Sequence, residues 1–138
     1  MNQITNQDFD CVDNDSNFNI DLSYLKEFSH GDRAFEKEML ESSVTEIEEK
    51  LLLLEKYVNG KNYEHIKAVA HSLKSLMPIL GNQHLYQCFY KIEHYEEEMD
   101  KSFIEQYFYF IIKNWNEIKR KVEQKIEVYS IEYECVLP

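Results

Sequence analysis

At 138 residues, with 26 Asp and Glu against 15 Lys and Arg, the chain carries a formal net charge of −11 at pH 7. That length suits one domain around a single core, and that charge disfavours nucleic acid and anionic lipid as partners. No stretch approaches the ~20 consecutive apolar residues of a membrane span, and Met1 to Asp8 hold neither the basic nor the apolar run of a leader, so a cytoplasmic protein is expected. Three widely spaced cysteines, Cys11, Cys88 and Cys135, form no CxxC pair and are expected as reduced thiols.

In chain order, residues 1–18 are rich in Asn, Asp and Gln and lack apolar periodicity, the composition of a flexible N-terminal tail. Asp21 is a candidate N-cap for a short helix carrying Leu22, Leu25 and Phe28, ended by Ser29-His30-Gly31. Asp32 then caps a long helix to about Val58. Its stripe is Phe35, Met39, Ile47, Leu51, Leu54 and Val58, with Glu36 outside, and Asn59-Gly60 supplies a left-handed stop. Asn62 caps a third helix with Ile66, Val69, Ala70, Leu73, Met77 and Leu80 on one face, running to Gly81. A fourth, from about Gln83 to Met99, packs through Leu85, Cys88, Phe89 and Ile92. Ser102 and Glu105 have capping-box spacing before a fifth, which carries Ile104, Phe108, Ile111, Trp115, Ile118 and Val122 and extends to about Val128. Residues 130–138 alternate too briefly for a strand and are expected as an irregular C-terminal tail. Long periodic segments joined by short loops predict an all-α fold. The expected architecture is an antiparallel four-helix bundle over residues 19–129 with a short additional N-terminal helix.

His71 stands off the apolar face of the third helix. Its neighbours one turn away are Lys67, Ala68, Lys74 and Ser75, so it is expected on the solvated side, flanked by cations and small residues. A neutral imidazole is a competent nucleophile near pH 7, and exposure gives it access to a reactive centre held by another molecule.

The run Ala70-His71-Ser72-Leu73-Lys74-Ser75-Leu76-Met77-Pro78-Ile79-Leu80-Gly81 resembles the signature of histidine phosphotransfer (HPt) domains of bacterial phosphorelays. In that signature the histidine is followed by Lys at plus three, a small residue at plus four, and Leu-Gly at plus nine and ten. The segments Ile20 to Phe28 and Gly31 to Phe35 resemble the opening of such domains, and the resemblance extends to about Glu93. Two positions depart from it. Ser75 replaces the usual glycine, and Pro78 removes a helical N–H and crowds the carbonyl of Lys74.

The resemblance implies a helical bundle that accepts a phosphoryl group on His71 from a receiver-domain aspartate and passes it to another receiver. Such a chain is a phosphocarrier, not an enzyme. It needs no cofactor of its own, Mg²⁺ being expected on the partner receiver only. Lys74 and Lys67 are the expected phosphate-stabilising cations. The expected partner surface comprises Glu64, Ala68, Ser75, Pro78, Gln83, His84 and Gln87, and buries at most ~1,200 Å² in a transient contact. Receivers of response regulators, including that of a hybrid sensor kinase, are the implied partners of a monomer. The alternative is an HPt-like module that docks receivers without carrying phosphate. A di-metal bundle needs paired Glu-x-x-His motifs, and Glu27-Phe28-Ser29-His30 at a helix end is the only match, so no metal site is expected.

Overall fold

In the computed structural model, which describes residues 18–96, 100 and 102–136 and the side chains of the last helix to residue 132, every regular element is a helix. The order is α1 (Ser23–Ser29), α2 (Arg33–Asn59), α3 (Tyr63–Leu80), α4 (Gln83–Glu93) and α5 (Ser102–Val136). The N-terminal tail expected over residues 1–18 lies, apart from Phe18, outside the described residues. Phe18 and Ile20 pack against the core. Among the described residues no helix is long and apolar enough to cross a membrane.

Local chemistry sets most of the helix starts. Asp32 accepts from the Phe35 N–H at 3.0 Å, Asn62 from the His65 N–H at 3.4 Å, and Asn82 from the Leu85 N–H at 2.7 Å. Asp21 acts one residue outside the α1 cap, its Oδ1 accepting from both the backbone N–H and the hydroxyl of Ser23. The start of α5 departs from the capping-box expectation. Asp100 accepts from the Ser102 N–H at 3.0 Å, and the Ser102 hydroxyl accepts from Gln106.

The stops depart further. After α2 the left-handed residue is Lys61 (φ 54°), while Gly60 stays right-handed at φ −84°. The fourth helix ends at Glu93, not near Met99, because the N–H of Tyr95 turns back to the Ile92 carbonyl. The last helix continues to Val136, replacing the irregular tail expected from residue 130. Val122, half-buried Ile126 and buried Tyr129 carry the i, i+4, i+7 spacing onward, and this outweighs the short alternation after Ser130.

Neighbouring helices pack in a closed order, α2 on α3, α3 on α4, α4 on α5 and α5 on α2. Cross-helix pairs show each neighbour running antiparallel. Tyr57 meets His65, His71 meets Glu93, Lys91 lies over Tyr107 and His84 meets Phe110. Along α2 and α5, Glu48 pairs with Lys119 and Arg33 with Glu132. The core between them includes Leu40, Ile47, Leu54, Ile66, Leu73, Leu80, Leu85, Phe89, Tyr107, Ile111 and Ile118. Cys88, fully buried on α4, is disulfide-bonded, which corrects the reduced-thiol expectation for this residue. Helical periodicity places a cysteine on a core face but carries no information about what reaches it from elsewhere.

At its N-terminal end the buried stripe of α2 runs through Glu36, Leu40 and Ser43, one position on from the expected Phe35 and Met39. This brings a carboxylate inside. Glu36, 1% exposed, accepts from the Ser29 hydroxyl at 2.5 Å and from the Tyr129 hydroxyl at 2.6 Å, joining α1, α2 and α5. The Arg33 guanidinium lies 5.0 Å from the centre of the Tyr129 ring and binds Glu132. Burial pushes the Glu36 carboxyl up, but the two hydroxyl bonds outweigh it and hold it below the ordinary carboxylate range. Burial and the adjacent carboxylate push the Tyr129 phenol up to about 12.

A group held low in the folded state stabilises the fold above its unfolded value, ~4.3 for Glu, and that stabilisation is lost as pH falls through the folded value. Glu36→Ala is therefore expected to cost about 2 kcal/mol at pH 7, since two buried hydroxyls lose their acceptor. Glu36→Gln is expected to flatten the loss of stability below the ordinary carboxylate range. Urea midpoints measured across that range check both, and an unchanged acid dependence in the Gln variant would remove Glu36 as its source.

Candidate functional site

Helix α3 turns five of its residues outward in one stripe. Glu64, Ala68, His71, Ser75 and Pro78 are all exposed, because they lie opposite the buried Ile66, Ala70, Leu73, Met77 and Leu80. The His71 side chain is 66% exposed. Ala68 and Ser75 offer little bulk on either side of the ring, and the Ser75 hydroxyl turns back to donate to the Ser72 carbonyl at 2.6 Å. Pro78 lies within a helix that runs on to Leu80. Without an N–H there, the Lys74 carbonyl lacks its usual helical donor.

The face of α4 nearest His71 supplies the rest. The two-residue link Gly81-Asn82 folds α4 back antiparallel on α3. This brings Glu93 level with His71, though 22 residues separate them. Glu93 Oε1 lies 2.5 Å from His71 Nδ1, and Glu93 Oε2 lies 2.5 Å from Lys74 Nζ. A carboxylate only accepts, so the imidazole donates through Nδ1–H and its Nε2 is left as the bare nitrogen when the ring is neutral.

Lys74, an expected phosphate-stabilising cation, lies against α4. Its side chain is 15% exposed, and Nζ lies 5.9 Å and 5.4 Å from the ring centres of Tyr86 and Tyr90. The bond to Glu93 raises its pKa against the opposing effect of burial. For Glu93, burial pushes the carboxyl up, but the bonds from Lys74 and His71 outweigh it and hold it below the ordinary range. The carboxylate therefore stays ionised beside the ring.

The remaining expected residues divide. Lys67 is half-buried on α3, one turn before His71. Gln83 and Gln87 are exposed on α4, as is Tyr90, on which His94 stacks at 4.1 Å. His84 is half-buried on α4, its ring meeting Phe110 of α5 edge-on at 5.2 Å. The residues missed were Glu93, Tyr86 and Tyr90, spaced i, i+4 and i+7 on α4 beside its buried face. Glu93 stands about as far after the interhelix turn as His71 stands before it, a relation visible in the sequence once two helices and a short link are assigned. Among the described residues no group of three or more His, Cys, Asp or Glu is placed to hold a metal ion.

No family model, curated protein or solved structure matches the chain. Among the described residues, fold and site define an all-helical unit that presents a carboxylate-bound, outward-facing histidine on α3 beside the antiparallel α4.

Proposed function

We propose that the chain is an HPt-type phosphocarrier, an antiparallel four-helix bundle with an added N-terminal helix, which takes a phosphoryl group on His71 from a receiver aspartate and returns it to another receiver. The observation that carries this reading is the exposed imidazole with Nδ1 held by Glu93 and Nε2 free. The Nε2 lone pair attacks phosphorus in the partner's acyl phosphate, the P–O bond to the aspartate breaks, and the carboxylate leaves with the electron pair. The ring keeps its Nδ1–H and so becomes cationic as the N–P bond forms. Glu93 is already in place to stabilise that charge, without reorganisation at the moment of transfer. The partner's surface meets the stripe Glu64, Ala68, Ser75 and Pro78 and the exposed Gln83 and Gln87.

Incubation with a panel of phosphorylated receiver domains tests this reading. Acid-labile, base-stable label on the chain is the expected result. Receiver binding with no label would make it a docking module that carries no phosphate, and neither binding nor label would remove receivers as partners.

A further inference from the structure

Lys74 is the residue whose surroundings least suit the part that sequence gave it. A cation that meets a phosphoryl group on Nε2 has to be free to reach it. Here Nζ lies 2.5 Å from Glu93 Oε2 and beside two tyrosine rings, with 15% of the side chain exposed. The ammonium is thereby committed to the carboxylate and to the faces of both rings. The two oxygens of Glu93 are divided, one to Lys74 and one to His71, so the orientation of the carboxylate toward the ring is fixed by what holds its other oxygen.

We propose that Lys74 is a positioning residue: by holding Glu93 it fixes the His71 imidazole as the Nδ1–H form with Nε2 outward, and it does this in place of touching the phosphoryl group. The inference rests on the phosphocarrier reading for its purpose and on the Lys74–Glu93–His71 geometry for its substance. The lowered carboxyl of Glu93 agrees with it, since an ionised carboxylate is the stronger acceptor for Nδ1–H.

The test uses the full chain and two readouts that a merely structural lysine would not move. The first is the tautomer of His71, read from ¹H–¹⁵N correlations of the imidazoles in wild type, Lys74→Met, Lys74→Arg and Glu93→Ala, with helical content checked by circular dichroism. The second is the lifetime of phosphohistidine formed with phosphoramidate, a small donor that needs no receiver. Wild type is expected as the Nδ1–H form. Lys74→Met and Glu93→Ala are both expected to lose that signature and to take up phosphoryl groups more slowly by roughly ten- to a hundredfold, the size typical of removing a group that orients a histidine. Lys74→Arg, which keeps the charge, is expected to retain it. The lifetime is expected to be unchanged in Lys74→Met. A wild-type tautomer with a shortened lifetime in Lys74→Met would overturn the proposal and put the ammonium on the phosphoryl group. A wild-type chain that shows the Nδ1–H form yet accepts nothing from any receiver would instead overturn the phosphocarrier reading and leave the clamp standing.

Discussion

His71→Gln is expected to abolish phosphoryl uptake from every receiver that labels the wild-type chain, with helical content and unfolding midpoint unchanged. The ring is largely outside, and it is bound by Glu93, itself also bound by Lys74, so the substitution leaves the core intact. Surface changes of this kind stay within ~0.5 kcal/mol. The controls are the other exposed histidines that hold Nδ1 to an acceptor, His65 to the Asn62 side chain at 2.8 Å and His94 to the Tyr90 carbonyl at 2.8 Å. Each has an orienting partner, but neither partner is a carboxylate able to meet the charge that develops on the ring. His65→Gln and His94→Gln are therefore expected to keep the label. Label that persists in His71→Gln, or that disappears in either control, would move the site.

Gly81→Ala is expected to produce the largest loss of stability among the glycine-to-alanine changes at Gly31, Gly60 and Gly81. Gly81 has φ +68°, and a Cβ there would stand 1.8 Å from the Asp21 carbonyl oxygen and 2.7 Å from the Asp21 nitrogen. Backbone has to move, because the same segment is tied to α3 by the Asp21 N–H donating to the Leu80 carbonyl at 3.0 Å. The Asn82 side chain adds a bond to the Asn19 carbonyl at 2.8 Å. Left-handed strain together with loss of this docking is expected to cost about 3 kcal/mol, a drop on the order of 10 °C in Tm. Gly31→Ala is the comparison. Its φ is +86°, but no atom lies within 4 Å of the added carbon, so strain acts alone and the expected cost is about 1 kcal/mol. Equal losses in the two variants would show that the close approach to Asp21 contributes nothing.

Periodicity reported the helices and the outward stripe of α3 well, because buried and exposed positions alternate with the helical repeat whatever packs against them. Asp32, Asn62 and Gly81 were legible for a similar reason, since a cap or a left-handed residue satisfies needs within a few residues of itself. What was not legible depends on a second element. Glu36 carries a charge and so reads as solvent-facing, yet it is inside because Ser29 and Tyr129 bring hydroxyls to it from α1 and α5. Lys74 reads as solvated for the same reason, and it is held by three residues of α4. His84 reads as an exposed residue near the turn, and its ring is taken up by α5. In each case the local pattern fixed the side of the helix to within a residue or so, and the partner decided what the side chain does there.

The His71 surface is made from two helices already held together by their buried faces, and the histidine sits along the length of α3, away from the loops at either end. A partner that settles on it meets side chains whose backbone is already ordered. Little chain entropy is lost in the encounter, in contrast to a surface made of loops that has to be organised on contact. Association with such a face draws its selectivity from a few exposed side chains and can be short-lived without being imprecise, because the geometry that aligns the nitrogen exists before the partner arrives.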